Sequence, residues 1–354
     1  MSGATLNVAI LGAGIGAQHL AAYQALPERF AVTMLCDRDR ERARLVAGET
    51  DIVLSDTVET AISDPAIDLI DICLPPHLHF PVAMSALQAG KHVVCEKPLV
   101  RSLAEVDQLE SAARAAGRRI FPVFQYRYGP ATRQIRALID AGLAGQAYAA
   151  SLETHWNRGA SYYAVPWRGT WSGENGGAVL GHAIHNHDLL CHVLGPIASL
   201  SAQTATRVNA IETEDCAAIA MVMQNGALAT SSITLGAADN TTRLRFCFEG
   251  LTAESGSAPY APAEDRWRFI ARDPVQQEDI DAVVAERAPG PSGFTGYFEA
   301  VADALAGHAG REVTLADGRR SIELVTAVYQ SARTGQPVAL PLDRQCDLYG
   351  GWLP

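Results

Sequence analysis

The chain has 354 residues; 48% of them are hydrophobic, and 39 acidic residues against 28 basic ones give a formal net charge of −11. An acidic surface repels phosphate backbones, so the sequence argues against a nucleic-acid partner. Because no apolar stretch approaches the roughly 20 residues of a membrane-spanning helix, no leader-like segment opens the chain and the cysteines form no CxxC pair, we expect a cytoplasmic protein with free thiols and no membrane partner.

The first predicted element is a strand, Leu6–Leu11, which runs directly into a glycine-rich turn and a helical pattern that Pro27 ends. This order is what a dinucleotide-binding fingerprint requires, because glycine lets backbone amides approach a pyrophosphate at a helix N-terminus. The turn contributes four candidate cofactor-binding residues: Gly12, Gly14, Ile15 and Gly16. The turn fits GxGxxA, with Ala17 in the last position, or a GxGxG variant that is one residue short. Taken alone, this motif is also compatible with a glycine-rich turn that binds no cofactor.

The next predicted strand, Ala31–Cys36, ends at Asp37. An acid at this strand tip can bond both ribose hydroxyls of NAD and repels the 2′-phosphate of NADP. Arg38 and Arg40 could instead pair with that phosphate, and Asp37 could simply cap the following helix. The charge pattern favours NAD, with NADP as the alternative.

Strands and helices continue to alternate as far as Phe124. The predicted strands are Asp68–Leu74, Lys91–Cys95 and Ile120–Phe124, and the predicted helices are Phe80–Ala89 and Leu103–Ala116. This alternation predicts an α/β fold with a doubly wound parallel sheet.

The second half of the chain is richer in strands. The predicted strands are Ala147–His155, Ile197–Thr206, Cys216–Met223, Ala227–Leu235 and Thr242–Phe248. Asn225-Gly226 is a strong hairpin signal between two of them. Residues 256–277 are predicted to be mostly loop, and helices are expected at Ala131–Ala141, Phe294–Leu305 and Arg319–Arg333.

Three histidines fall within the stretch GGAVLGHAIHNHDLL, which begins at Gly176. Helical periodicity over Ala178–Leu194 places His182 and His185 on one face and His187 on another, so they do not converge as a metal triad, and we predict no metal. Two alternatives remain: buried histidines with satisfied hydrogen bonds, or an acid–base role for His185. In the second case, Asp188 either orients His185 or pairs elsewhere.

The segment before these histidines, HWNRGASYYAVPWRGTW, interleaves aromatic residues with Arg158 and Arg168. Aromatic faces stack on the C–H faces of sugars, and arginines bond hydroxyls or carboxylates. The same residue types are enriched in oligomer interfaces, so both interpretations stay open. We predict that Trp167 and Arg168 border a substrate pocket.

Several motifs together resemble the glucose-fructose oxidoreductase / inositol dehydrogenase (Gfo/Idh/MocA) family. They are the glycine turn, Pro75-Pro76-x-x-His79, Glu96-Lys97-Pro98, Gly176-Gly177, His185-x-x-Asp188 and the closing stretch AVYQSARTGQPVALP. The resemblance covers essentially the whole chain. It implies an NAD(P)-binding Rossmann domain in residues 1–126. It also implies an α+β domain with a large, mostly antiparallel sheet in residues 127–354, which binds substrate and forms a homodimer or homotetramer.

The resemblance also implies residue roles. Lys97 and His185 match the catalytic lysine and histidine, and Pro98 is expected to follow a cis peptide bond. Further cofactor-binding residues are expected at Leu74, Pro75, His79, Glu96, Lys97 and Gln125, and substrate-binding residues at Lys97, Arg127, Trp167, Arg168, His182 and His185. The chain departs from the family at Gly181, where an acid is common; His182 is the candidate substitute.

The resemblance therefore implies NAD(P)-dependent oxidation or reduction of a ring hydroxyl in a sugar, glycoside or cyclitol. Position C3 of a pyranoside is favoured by family analogy alone. One alternative is a redox-neutral elimination or glycoside cleavage with tightly bound NAD. Another is a non-catalytic nucleotide sensor, against which the presence of both Lys97 and His185 argues.

Overall fold

A computed structural model of the chain describes residues 5–286, 289–308 and 310–354. The chain folds as two compact units. The first combines the residues before Gln125 with Phe294–Arg319, and the second combines Gln125–Gly293 with Arg320–Pro354. Within the described ranges, none of the helices is both long and apolar enough to cross a membrane.

The first unit contains a parallel sheet. Its strands are β1 (Leu6–Leu11), β2 (Phe30–Cys36), β3 (Val53–Ser55), β4 (Leu69–Ile72), β5 (His92–Cys95) and β6 (Ile120–Pro122). They are ordered β3-β2-β1-β4-β5-β6, and every neighbouring pair is parallel. The central strands are short apolar runs because both faces of such a sheet are covered. This order places the switch point of the sheet at the carboxyl end of β1, where ligands bind in open α/β folds.

Helices connect these strands. They are α1 (Gly16–Gln24), α2 (Arg40–Ala47), α3 (Val58–Ser63), α4 (His79–Gln88) and α5 (Leu103–Ala116). Local sequence sets the bounds of α5: the Ser102 hydroxyl accepts a hydrogen bond from the Glu105 amide at 3.1 Å, and Gly117 ends the helix with a φ of 62°. The predicted bounds of this helix are confirmed.

The second unit contains a larger sheet. Its first strands are β7 (Ala147–Asn157), β8 (Ile197–Ala205), β9 (Cys216–Met223) and β10 (Leu228–Thr234). The others are β11 (Gly236–Phe248), β12 (Leu251–Glu254), β13 (Arg268–Ala271) and β14 (Val338–Ala339). The order is β13-β12-β11-β7-β10-β9-β8-β14, and β10 pairs with β7 in parallel while the other neighbours are antiparallel. The predicted fold class, a doubly wound parallel sheet plus an α+β domain, is confirmed.

The remaining helices are α6 (Pro130–Asp140), α7 (Trp171–Glu174), α8 (Ile184–Leu194), α9 (Gln277–Ala285), α10 (Gly293–Leu305) and α11 (Leu315–Thr334). Residues 256–277 are mostly loop, as predicted, and include one short edge strand, β13, which lacks a long apolar alternation. The sequence predicts the start of β11 too late, at Thr242. An irregular register between Gly236 and Thr241 interrupts the alternation there.

Helix α10 lies in the first unit although it follows the strands of the second. The Tyr297 hydroxyl donates to the Phe121 carbonyl at 2.9 Å, and the Phe298 ring stacks on Tyr23 with centroids 3.8 Å apart. The sequence places a single boundary after residue 126. The structure divides the chain near that point but returns residues 294–319 to the first unit.

Strands β9 and β10 show how the sequence assigns the two faces of the larger sheet. Alternate residues Ile219, Met221 and Ile233 are buried. On the opposite face, Val222 and Leu228 are cross-strand partners that are 40% and 60% exposed. The small residues around them, Ala218, Ala220, Thr230 and Ser232, are exposed as well. One face is therefore core, and the other is exposed.

Candidate active site

The glycine turn lies at the switch point of the parallel sheet. Gly12 has a φ of +104°, and a Cβ there would lie 2.5 Å from the Cys73 carbonyl oxygen, so no other residue fits. At Gly14 a Cβ would meet no atom within 4 Å. Helix α1 begins at Gly16 without a side-chain cap. Its first amides and the open space over Gly14 therefore fit the pyrophosphate of a dinucleotide.

Asp37 is hydrogen-bonded to this turn. Its carboxylate accepts hydrogen bonds from the amides of Ala13 (2.7 Å) and Asp39 (2.8 Å) and from Arg42 (2.7 and 3.1 Å). Burial opposes ionisation, but these hydrogen bonds outweigh it and hold the pKa of Asp37 below its usual value. Asp39, rather than Asp37, caps α2, and its carboxylate accepts from the Arg42 amide at 3.0 Å.

The predicted arginines beside Asp37 are placed differently from one another. Arg40 forms an ion pair with Asp56 at 2.6 Å, and Arg38 is exposed. Arg42, which the sequence analysis missed, is the arginine that contacts Asp37. Asp37 keeps its charge in this arrangement, and an anionic group there suits the ribose hydroxyls of NAD.

His19 lies at the centre of a buried polar cluster. Its Nδ1 is 2.8 Å from an Asp71 carboxylate oxygen and its Nε2 is 3.2 Å from a Glu96 oxygen. Burial lowers the pKa of His19, but the charge of Asp71 and the hydrogen bond to it raise that pKa well above its usual value. His19, Asp71 and Cys73 place their polar atoms within 4.8 Å of one another. Hydrogen bonds between a protonated ring and carboxylates account for this arrangement.

The turn that carries Lys97 follows β5. The Lys97–Pro98 peptide bond is cis, as predicted. The Glu96 carboxylate accepts a hydrogen bond from the Lys97 amide at 3.0 Å. The His79 ring nitrogens lie 2.7 Å from the carbonyl oxygens of Pro98 and Leu74, so this ring joins the two turns that follow β4 and β5. Lys97 itself is half-buried.

The histidine-rich segment is a turn of π-helix, Val179–Ala183, followed by α8, whereas the sequence predicts one continuous helix. Glu214 holds its start: the carboxylate accepts from the amides of Gly177 (3.1 Å) and Val179 (3.0 Å) and from the Tyr329 hydroxyl (2.9 Å). Burial raises the pKa of Glu214 to about 7. A Cβ at Gly177 would overlap the Glu214 carbonyl oxygen, which explains the glycine.

The three histidines contact different neighbours. His185 stacks on Tyr126 with ring centroids 4.4 Å apart. His182 meets Trp156 edge-on at 5.4 Å. His187 lies 2.9 Å from the Ser231 hydroxyl, and burial lowers its pKa to about 4, so it stays neutral. Of the three, His187 is therefore the structural histidine.

Asp188 forms an ion pair with Arg127. The guanidinium donates two hydrogen bonds, of 2.6 and 2.7 Å, to the carboxylate. Both side chains are almost fully buried. Arg127, a predicted substrate-binding residue, is thus part of a bidentate ion pair that fixes α8 to the turn after β6.

The predicted substrate-binding pair Trp167 and Arg168 lies in the second unit. The Arg168 guanidinium carbon is 4.6 Å from the Trp167 ring and 4.0 Å from the Tyr162 ring, and Arg168 pairs with Glu174 at 3.5 Å. The Gln125 side-chain oxygen is buried and accepts no hydrogen bond within the described part of the chain. The roles of these residues toward a ligand stay predictions.

Comparison with known proteins covers both units. The family described as an oxidoreductase family with an NAD-binding Rossmann fold matches residues 6–124, and the GFO/IDH/MocA C-terminal domain matches residues 132–254. An uncharacterized oxidoreductase, sll0816 of Synechocystis, is 30% identical over 65% of this chain and 65% of its own length. D-glucoside 3-dehydrogenase of Escherichia coli is 26% identical over 55% of this chain and 56% of its own.

A solved structure resembles nearly the whole chain. It is the WlbA dehydrogenase of Bordetella pertussis in complex with NADH and UDP-GlcNAcA, 28% identical, with a TM-score of 0.84 over 96% of this chain and 100% of that one. The family models, this likeness and the fit of the glycine turn and Asp37 confirm NAD as the cofactor. The chain therefore belongs to the Gfo/Idh/MocA family of NAD-dependent oxidoreductases.

Proposed function

We propose that the chain is an NAD-dependent dehydrogenase that oxidises or reduces a ring hydroxyl of a sugar, glycoside or cyclitol, with C3 of a pyranoside as the position. The observation that carries the proposal is the anchored Lys97 turn. The carboxyl ends of β1 and β5 lie at the same edge of the parallel sheet, so an ammonium and a nucleotide-binding turn share that edge. The name of the E. coli relative, D-glucoside 3-dehydrogenase, supports the ring position.

Oxidation of a secondary alcohol removes a proton from oxygen and a hydride from carbon. When bound, the nicotinamide supplies the hydride chemistry. The Lys97 ammonium stabilises the developing alkoxide and so lowers the pKa of the hydroxyl. His185, oriented by its stack on Tyr126, receives the proton. The stack on Tyr126 restricts the plane of the His185 ring.

The test is nicotinamide absorbance with inositols, free sugars, methyl glycosides and aryl glycosides. Wild type should reduce NAD with one class, and Lys97→Met and His185→Ala should lower kcat by about a hundredfold or more. NAD binding, measured by calorimetry, should persist in both variants. His308→Ala, a change at an exposed histidine, is the control that should leave kcat unchanged.

The outcomes separate the candidate functions. Full activity of Lys97→Met would contradict the proposed chemistry. Product formation without net reduction of NAD would indicate redox-neutral elimination or glycoside cleavage. NAD binding without turnover of any compound would indicate a nucleotide sensor.

We also propose that the chain forms a homodimer or homotetramer through the exposed face of the larger sheet. Support comes from the surface around Val222 and Leu228, where large apolar side chains are exposed among small ones.

A further inference from the structure

Arg158 follows directly after β7 and lies among three aromatic rings. Its guanidinium carbon is 4.9 Å from the ring centroid of Trp156, 5.3 Å from Tyr162 and 6.0 Å from Tyr260. We call these four residues the Arg158 cluster. Trp156 is only 4% exposed, whereas Tyr260 is 51% exposed, so the cluster has a buried base and an open side. Stacking of this kind holds a guanidinium in one orientation.

Among the described residues, Arg158 has no carboxylate partner. Its donors reach only neutral acceptors: the Asn157 carbonyl (2.7 Å), the Asn240 side-chain oxygen (3.0 Å) and the Tyr260 hydroxyl (2.8 Å). Burial raises the pKa of Tyr162 to about 12, so this phenol is not a counter-ion at neutral pH. In the described residues no carboxylate forms an ion pair with Arg158, although the chain has 39 acidic residues.

Arg168 provides a comparison within the same segment. Its guanidinium lies over the Trp167 ring and also over the Tyr162 ring, which Arg158 contacts as well. Unlike Arg158, it has a carboxylate partner, Glu174, at 3.5 Å. Of the two guanidiniums that share the Tyr162 ring, only that of Arg168 has a carboxylate partner among the described residues.

The Arg158 cluster also adjoins the candidate histidines. The His182 ring lies 5.4 Å from the Trp156 ring and 5.7 Å from the Tyr162 ring. His182 stands three positions before His185 in the same segment. A ligand held against the open side of the cluster is therefore near the helix that carries the proposed proton acceptor.

We propose that Arg158 binds an anionic group of the substrate and that the substrate is consequently an acidic sugar. A half-buried guanidinium without a carboxylate partner binds a carboxylate or phosphate oxygen through charge-assisted hydrogen bonds. The flanking rings pack against the C–H faces of the sugar. The proposal rests on the proposed sugar oxidoreductase function and names its substrate class. The anion is either the carboxylate of a sugar acid or the phosphate of a nucleotide-linked sugar.

The experiment compares sugars with and without a carboxylate in two matched pairs. One pair is methyl glucoside with methyl glucuronide; the other, in which both members carry a diphosphate, is UDP-N-acetylglucosamine with the corresponding UDP-linked uronate. We expect kcat/KM with NAD to be about tenfold or more higher for an anionic compound than for methyl glucoside. Preference for each uronate over the other member of its pair would assign the carboxylate, and preference for both UDP sugars over both methyl glycosides would assign the phosphate.

Substitution then tests Arg158 itself. Arg158→Gln should lower kcat/KM for the preferred anionic sugar by about ten- to a hundredfold and change that of methyl glucoside by less than about threefold. Arg158→Lys keeps the charge but not the fork of donors, so its effect should be intermediate. Arg207→Gln removes the same charge from an exposed site and should change neither value. Thermal unfolding of each variant verifies that the fold is retained.

The results distinguish this inference from the function on which it rests. Equal use of neutral and acidic sugars, or an equal loss for both in Arg158→Gln, would overturn the inference and leave the dehydrogenase function standing. If no compound is oxidised, the proposed function fails. The inference about Arg158 is then tested by calorimetric titration of the same acidic sugars into the NADH-loaded protein. Binding that Arg158→Gln weakens tenfold supports the inference, and no binding, or binding unaffected by the substitution, rejects it.

Discussion

His19 connects the first helix of the nucleotide-binding unit with the turn that presents Lys97. One ring nitrogen contacts Asp71 and the other contacts Glu96, whose second oxygen accepts from the Lys97 amide. A protonated ring between two carboxylates leaves each buried charge with an opposite partner. His19 is therefore a positioning residue that acts on Lys97 through Glu96.

We expect His19→Gln to destabilise the protein by about 3 kcal/mol at neutral pH, because it removes a buried cation that contacts the carboxylates of Asp71 and Glu96. The raised pKa gives this difference a defined pH dependence. The contribution of His19 is fully present below about pH 6.5, the pKa of an unfolded histidine, and is lost as pH rises through the raised folded-state value. Urea unfolding at several pH values should show the two proteins converging as pH rises, with kcat reduced in the variant.

His308→Gln is the control, since this histidine is exposed. A difference between wild type and His19→Gln that stays constant from pH 6 to well above it would contradict a protonated His19.

At this scale the sequence predicts features that depend on local spacing, such as the turn at Gly12, the place of Asp37 beside it and the cis bond before Pro98. It does not identify Glu214, because the groups that it holds are distant in the chain. Gly177 is 37 positions away and Tyr329 is 115 positions away, and only the folded sheet brings them together.

At the scale of the element, the segment before α8 depends on two glycines with opposite surroundings. At Gly177 a Cβ would collide with Glu214, whereas at Gly181 it would meet no atom within 4 Å. Alanine substitution at each position therefore distinguishes two effects. At Gly177 it tests the steric contact with Glu214, and at Gly181 it tests only the helix propensity of the residue. No steric contact explains the glycine at 181.

We expect Gly177→Ala to lower the free energy of unfolding by about 1–3 kcal/mol or more, because the carbonyl and carboxylate of Glu214 must shift. Gly181→Ala should be neutral or stabilise by up to about 1 kcal/mol, since alanine suits a helix better than glycine. Thermal unfolding of both variants provides the measurement. Equal destabilisation would mean that the contact with Glu214 does not determine the geometry of this segment.

The periodicity of residues 178–194 predicts a helix here, and the structure contains one from Ile184. The π-turn before it is not predictable from that pattern, because Glu214 and Tyr329 impose it from other elements. Short edge strands such as β13 escape prediction for a related reason. Pairing with a neighbour, rather than a local apolar alternation, defines them.

At the scale of the whole molecule, the exposed face of the larger sheet is the surface that we propose for self-association. Val222→Lys combined with Leu228→Lys places two like charges opposite each other on that face. We expect the molar mass in light scattering to fall toward that of a monomer. Leu45→Lys, at an exposed leucine of α2, should leave the mass unchanged. An unchanged mass in the double variant would place the interface elsewhere.

The alternation of strands and helices predicts the parallel sheet, and the strand-rich second half predicts a sheet there. The sequence predicts the helix Phe294–Leu305 but not the unit that it joins. The contacts of Tyr297 with Phe121 and of Phe298 with Tyr23 link residues that are far apart in the chain.

The parallel pairing of β7 with β10 also has a consequence for the order of folding. Two adjacent parallel strands require a crossover connection, which residues 158–227 form here. This connection contains Arg158, His182 and His185. Closing so long a loop costs chain entropy before the strand contacts compensate for it. We therefore expect the helix that carries His185 and the Arg158 cluster to reach their final positions only when β10 pairs with β7. The glycine turn does not depend on this pairing, because it lies in the other unit.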